Sequence, residues 1–146
     1  MRRAVVTAAL AATLVGCSPD IPVVEQQPVR YDVTLELYQQ GGVGLFEMDV
    51  TWGHSADPSQ KEHLVVPAWK KELTVSWPDE SSVYVTGVAQ PKPGVDHGMA
   101  YLNGTPKVRC VLKLNGQVVR DITDVVPQCD YNLNGSPPPA PSGSQG

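Results

Sequence analysis

The stretch Val29-Arg30-Tyr31-Asp32-Val33-Thr34-Leu35-Glu36-Leu37 decides the fold. Val29, Tyr31, Val33, Leu35 and Leu37 stand at every second position, with Arg30, Asp32, Thr34 and Glu36 between them, so an extended chain sorts them onto two faces, one apolar and one polar. A helix would scatter the same residues around its circumference. The segment therefore reads as a half-buried strand. Outward from it, Gln39 to Gly44 holds Gly41, Gly42 and Gly44 and reads as a turn, after which Phe46, Met48, Val50 and Trp52 repeat the alternation. These two strands are expected to pair as a hairpin.

The same reading extends along the chain. Gly53 to Ser59 is polar and loop-like, and Leu64 to Val66 is a short apolar strand stopped by Pro67. Trp69, Leu73, Val75 and Trp77 share one face of the next strand, and Lys71 within that row suggests a bulge or an exposed strand end. Val83 to Ala89 is rich in β-branched residues, and a long loop from Pro91 to Pro106 follows. Val108, Cys110, Leu112 and Leu114 alternate up to Asn115-Gly116, a strong hairpin signal, and the return strand from Gln117 is expected to run on toward Cys129. The class is all-β: an immunoglobulin-like, two-sheet antiparallel β-sandwich of about seven strands over residues 29–131, with a partly open barrel as the alternative.

Composition sets the limits. A chain of 146 residues, 41% apolar and 18% charged, supports one core, and its 14 Pro and 13 Gly exclude a helical bundle. A formal charge of −4 without any Lys/Arg run implies neither a nucleic-acid partner nor a polybasic membrane patch. Residues 132–146 are Asn, Gly, Ser and Pro with little apolar pattern and are expected to be a disordered tail.

The N-terminus reads as an address. Arg2 and Arg3 precede an uncharged apolar run from Ala4 to Leu14, too short to span a bilayer. The run ends in Leu14-Val15-Gly16-Cys17, which resembles the lipobox of bacterial lipoproteins: residues 1–16 would be the signal peptide and Cys17 the thiol that receives diacylglycerol. Two acyl chains anchor stably where one does not. Maturation would take the formal charge to −6, and residues 17–28, with three prolines among them, would form a flexible tether at the outer face of the cell membrane. The other readings are an ordinary secretory signal with a coincidental Cys, or an uncleaved anchor.

With Cys17 assigned to lipid, Cys110 and Cys129 remain as a pair, which outside the cytoplasm forms a disulfide. A redox or metal role is disfavoured, because the chain has no Cys-x-x-Cys and no His near either residue.

Little here points to chemistry. His54, His63 and His97 lie in polar, loop-like surroundings beside Asp57, Glu62 and Asp96 and read as solvated residues, so no metal is expected. A Gly-x-Ser-x-Gly elbow, a His-Glu-x-x-His pair and a phosphate-cradling loop are all missing, so neither an enzyme nor a cofactor is expected. Trp52, Trp69 and Trp77 fall on inward faces and serve either as core packing or as the walls of an apolar groove for a lipid-like ligand or partner protein. Tyr38 and Tyr101 read as loop residues and candidate contacts.

The segments Tyr31-Asp-Val, Met48-Asp-Val-Thr-Trp52, Val66-Pro-Ala-Trp-Lys-Lys-Glu-Leu-Thr-Val75, Val85-Thr-Gly-Val-Ala-Gln90 and Cys110-Val-Leu-Lys-Leu-Asn-Gly-Gln-Val-Val119, followed by Cys129, together resemble the periplasmic domain of the mycobacterial MmpS proteins. The resemblance covers about Val29 to Cys129. It implies a single disulfide-bonded β-sandwich that works beside a large permease exporting lipids or siderophores. Three features depart from that family: a lipobox in place of a transmembrane helix, Ala68 between Pro67 and Trp69, and the Pro-rich tail. The expectation is a lipid-anchored, non-enzymatic binding module assisting envelope transport, whose partners are the membrane and an envelope permease or lipidic cargo. The alternatives are a phage- or prophage-type surface lipoprotein that blocks superinfecting DNA, and a structural envelope lipoprotein.

Overall fold

The first strand, β1 (Val29–Gln40), is three residues longer than its apolar alternation and forms the spine of one sheet. It belongs to a computed structural model that describes residues 27–42 and 44–137. The signal peptide, Cys17, most of the expected tether and the tail from residue 138 lie outside the described residues. The other elements are β2 (Phe46–His54), β3 (Asp57–Leu64), β4 (Ala68–Trp77), β5 (Ser82–Pro91), a single helical turn α1 (His97–Ala100), β6 (Lys107–Leu114), β7 (Gln117–Asp124) and β8 (Gln128–Asn132).

The protein is an all-β, two-sheet antiparallel sandwich of eight strands, in which β4-β1-β6-β7 form one sheet and β3-β2-β5-β8 the other. Inward residues of both sheets build the core: Tyr31, Val33, Leu35 and Leu37 of β1, Met48 and Val50 of β2, Val83 and Val85 of β5, and Val108, Leu112 and Leu114 of β6. A disulfide between Cys110 on β6 and Cys129 on β8 ties one sheet to the other through this core.

Several local expectations are corrected. β1 and β2 are not a hairpin: β1 pairs with β4 and β6, and β2 with β3 and β5, so the Gly-rich connection crosses between sheets. Alternating strands look alike whether the chain turns back in-plane or arches across the core. The polar stretch from Asp57 is strand rather than loop, for β3 is an edge strand without a fully buried side chain, while Val65 and Val66 lie beyond its end and are exposed. Lys71 makes no bulge, since β4 pairs with β1 in unbroken register from Trp77 to Ala68. It faces inward at the open edge, its ammonium 4.7 Å from the centre of the Trp52 ring. The return strand stops at Asp124, and Cys129 lies on β8 in the opposite sheet, after Val125-Val126-Pro127 carry the chain across. Nor does packing end at Asn132: Leu133 is buried in the core and the Ser136 carbonyl accepts a 2.6 Å hydrogen bond from the Tyr31 hydroxyl.

Strand direction gives the sandwich two unlike ends. At the end where β1 begins lie the in-sheet turns β2–β3 and β6–β7, the β4–β5 connection, which crosses between sheets, and the exit from β8. At the other end the chain crosses between sheets four times, through residues 41–45, 65–67, 92–106 and 125–127.

Candidate functional site

The outer face of the β4-β1-β6-β7 sheet carries a shallow groove of about 580 Å³. Its position follows from register. Glu36 on β1 is flanked by Lys70 on β4 and Val111 on β6, and the row continues to Asp121 on β7. The next row sets Tyr38 between Ala68 and Arg109. A third sets Thr34 between Glu72 and Lys113, with Val118 beyond on β7. Val111 and Val118 supply apolar surface, and Pro67 and Ala68 close one end.

Although it points away from the core, Glu36 is only 6% exposed. One carboxylate oxygen accepts from the Lys113 ammonium at 2.8 Å and the other from the Tyr38 hydroxyl at 3.0 Å. Burial pushes the carboxyl pKa up, but the hydrogen bonds from Lys113 and Tyr38, with the charges of Lys113 and Lys70, outweigh it and hold the group below its ordinary value. The Tyr38 phenol is raised, first by burial and then by the adjoining carboxylate. At the far rim Arg109 grips Asp121 in a two-pronged pair, 2.9 and 2.6 Å, which lowers the Asp121 carboxyl. The groove thus combines an apolar floor with cations already neutralised by carboxylates. Such a surface suits an amphiphile or a polypeptide segment better than a bare anion.

Tyr38 therefore belongs to β1 and not to a loop, because β1 runs on to Gln40 while paired on both sides. Glu36, Arg109 and Lys113 escape sequence reading because they occupy the polar phase of alternating strands. Val111, an apolar residue in that phase, is the one local signal for the groove, and it is buried.

The three tryptophans do not share one wall. Trp52 of β2 and Trp69 of β4 meet across the open β3/β4 edge, ring centroids 6.3 Å apart, and both donate to Glu62 of β3, at 2.9 and 2.8 Å. Trp77 lies at the other end of β4, with Gly135 against its ring. Tyr101 follows α1 and packs edge-on against Phe46 at 5.3 Å, leaving its own side chain partly exposed.

His63 is a strand residue of β3 rather than a loop residue. It lies between two carboxylates of β2, Nδ1 2.6 Å from Asp49 and Nε2 2.7 Å from Glu47. Hydrogen bonding to Asp49 and then to Glu47 raises its pKa above the ordinary value. His54 ends β2 near Glu80, and His97 opens α1. Among the described residues no group of three or more His, Cys, Asp or Glu is arranged to hold a metal ion.

No protein-family model matches the chain, and no curated protein matches it in sequence.

Proposed function

We propose that this protein is a non-catalytic binding module of the bacterial envelope, held at the outer face of the cell membrane by lipid on Cys17. Its β1/β6 groove engages a permease or the lipidic or siderophore cargo that the permease exports. The observation that carries this reading is the outer-face groove over Glu36, Tyr38 and Val111, where a buried carboxylate, a phenol and an apolar side chain meet on the outward face of a sheet. The disulfide-tied sandwich is the fold implied by the resemblance to the MmpS periplasmic domain, and the N-terminal lipobox supplies the anchor.

The test is a photo-crosslinking residue at Val118, on the groove rim, in the native envelope. Recovery of a permease, or of a lipid or siderophore adduct, is the expected result. Capture of neither, with lipid and siderophore export unchanged in a deletion strain, overturns the proposal.

A further inference from the structure

The two ends of the sandwich differ in chemistry as much as in topology. Nine large apolar side chains are exposed among the described residues. Seven of them sit on the four arches at the end opposite the start of β1: Leu45 on the first, Val65 and Val66 on the second, Met99, Tyr101 and Leu102 on the third, and Val126 on the fourth. The turns at the opposite end are built from Ser55-Ala56, Pro78-Asp79-Glu80-Ser81 and Asn115-Gly116, with no large apolar side chain among them.

The arches are joined to the body and to one another. Pro67 accepts a backbone hydrogen bond from Gln39 at 2.8 Å, and Leu45 accepts one from Lys92 at 2.9 Å. Phe46 anchors Tyr101 from beneath. Three of the four arches are thus bonded or packed onto the body beneath their exposed side chains. Leu102, 80% exposed, and Met99, 71% exposed, have no role in the core.

Charge is arranged to match. Within the described parts of the four arches the formal charges are Lys92 and Asp96 alone, and at their flanks Lys107 opens β6 while Asp124 closes β7, so this end is balanced; toward the opposite end Asp32, Asp57, Asp79, Glu80 and Asp130 outnumber Arg30 and Arg120. An acidic body is repelled by anionic headgroups, so the near-neutral apolar end is the one that approaches such a surface most closely. Side chains spread over several loops at the end of a sandwich suit entry into a headgroup layer, which deforms around each of them.

We infer that the four-arch end is a membrane-docking tip that inserts Val65, Val66, Met99 and Leu102 into the interface of a lipid bilayer. The tip lies at the end of the sandwich opposite the start of β1. The inference goes beyond the groove, and its test does not need the lipid on Cys17.

The experiment uses the chain from residue 17 onward carrying Cys17→Ser, which retains every strand and the disulfide and cannot be acylated. Sedimentation with vesicles of phosphatidylethanolamine and phosphatidylglycerol is expected to carry the protein down. Val66→Asp and Leu102→Asp are each expected to lower partitioning by about tenfold or more, because each replaces an inserted apolar group with a carboxylate. Val118→Asp, exposed but off the tip, is expected to leave partitioning unchanged, and thermal melts confirm that all three variants fold. Failure of the unsubstituted chain to bind vesicles overturns the inference, as does equal weakening by Val118→Asp and the tip variants. Crosslinking at Val118 reports on the groove independently, so either reading can fail without the other.

Discussion

Trp52 and Trp69 stand on opposite sheets and give both indole N–H groups to one carboxylate, that of Glu62. The strands β3 and β4 are the edges of their respective sheets, so this clamp closes a side of the sandwich that has no disulfide. Glu62→Ala leaves two partly buried donors without their acceptor, which costs about 1–3 kcal/mol. Urea unfolding followed by tryptophan fluorescence checks it. A loss within a few tenths of a kcal/mol would mean that water replaces the carboxylate at no cost.

The Cys110–Cys129 bridge works on the unfolded chain as well as on the fold. Closing a segment with a sequence separation of 19 residues lowers unfolded-state entropy, a stabilisation of about 3 kcal/mol in the loop-closure treatment. The pair is wholly buried, so Cys110→Ala with Cys129→Ala also loses core volume. Reduction of the wild-type chain isolates the crosslink from that loss. The expected result is a lower urea midpoint on adding reductant, with the double-alanine variant lower still and insensitive to reductant.

Class and core were legible in the residues because Tyr31 to Leu37 alternates so cleanly that only a strand satisfies it, and Val108 to Leu114 alternates with Val111 as its one exception. Pairing was legible only at Asn115-Gly116, which joins β6 to β7 as the hairpin signal requires. Whether Gly41 and Gly42 turn the chain back beside β1 or lift it across the core depends on the company β1 keeps, and its neighbours are Ala68–Trp77 and Lys107–Leu114, remote in sequence. β3 was hidden for a different reason, since an edge strand with few apolar contacts has the composition of a loop. Concealed with it was Glu62, whose role exists only once Trp52 and Trp69 are brought to the same edge. The groove residues were invisible one at a time, because a solvent-facing Glu or Lys is the ordinary content of a polar strand face.

His63 should make the β2–β3 pair sensitive to pH. Hydrogen bonds to Asp49 and Glu47 raise its folded pKa above the ordinary 6.5, so the stabilisation is fully present below that value and is lost as pH rises through the folded pKa. All three side chains reach solvent, and screening keeps the effect small. A proton NMR titration of the His63 ring is expected to give a midpoint above 6.5 that falls back toward that value in Asp49→Asn. A midpoint that ignores this substitution would show that the two carboxylates do not hold the imidazolium.

Glu36 carries the opposite sign. Its folded pKa lies below the ordinary 4.5, so its contribution is present above that value and disappears as pH falls through the folded pKa. Glu36→Gln removes the charge from a site that Lys113 and Tyr38 are placed to serve, and weakens the fold at neutral pH by about 1.5–3 kcal/mol, the range for a hydrogen bond to a charged group. The gap between wild type and variant should close as the pH is lowered, because protonation gives the wild-type carboxyl the same neutral character. Lys113→Met should reproduce part of the loss, and the double variant should lose less than the two single changes added together, since each alone strands its partner's charge. Urea unfolding of the four proteins at neutral and acidic pH measures both effects. Strict additivity would mean that Glu36 and Lys113 are neighbours without an energetic link, and the buried carboxylate beneath the groove would then need another explanation.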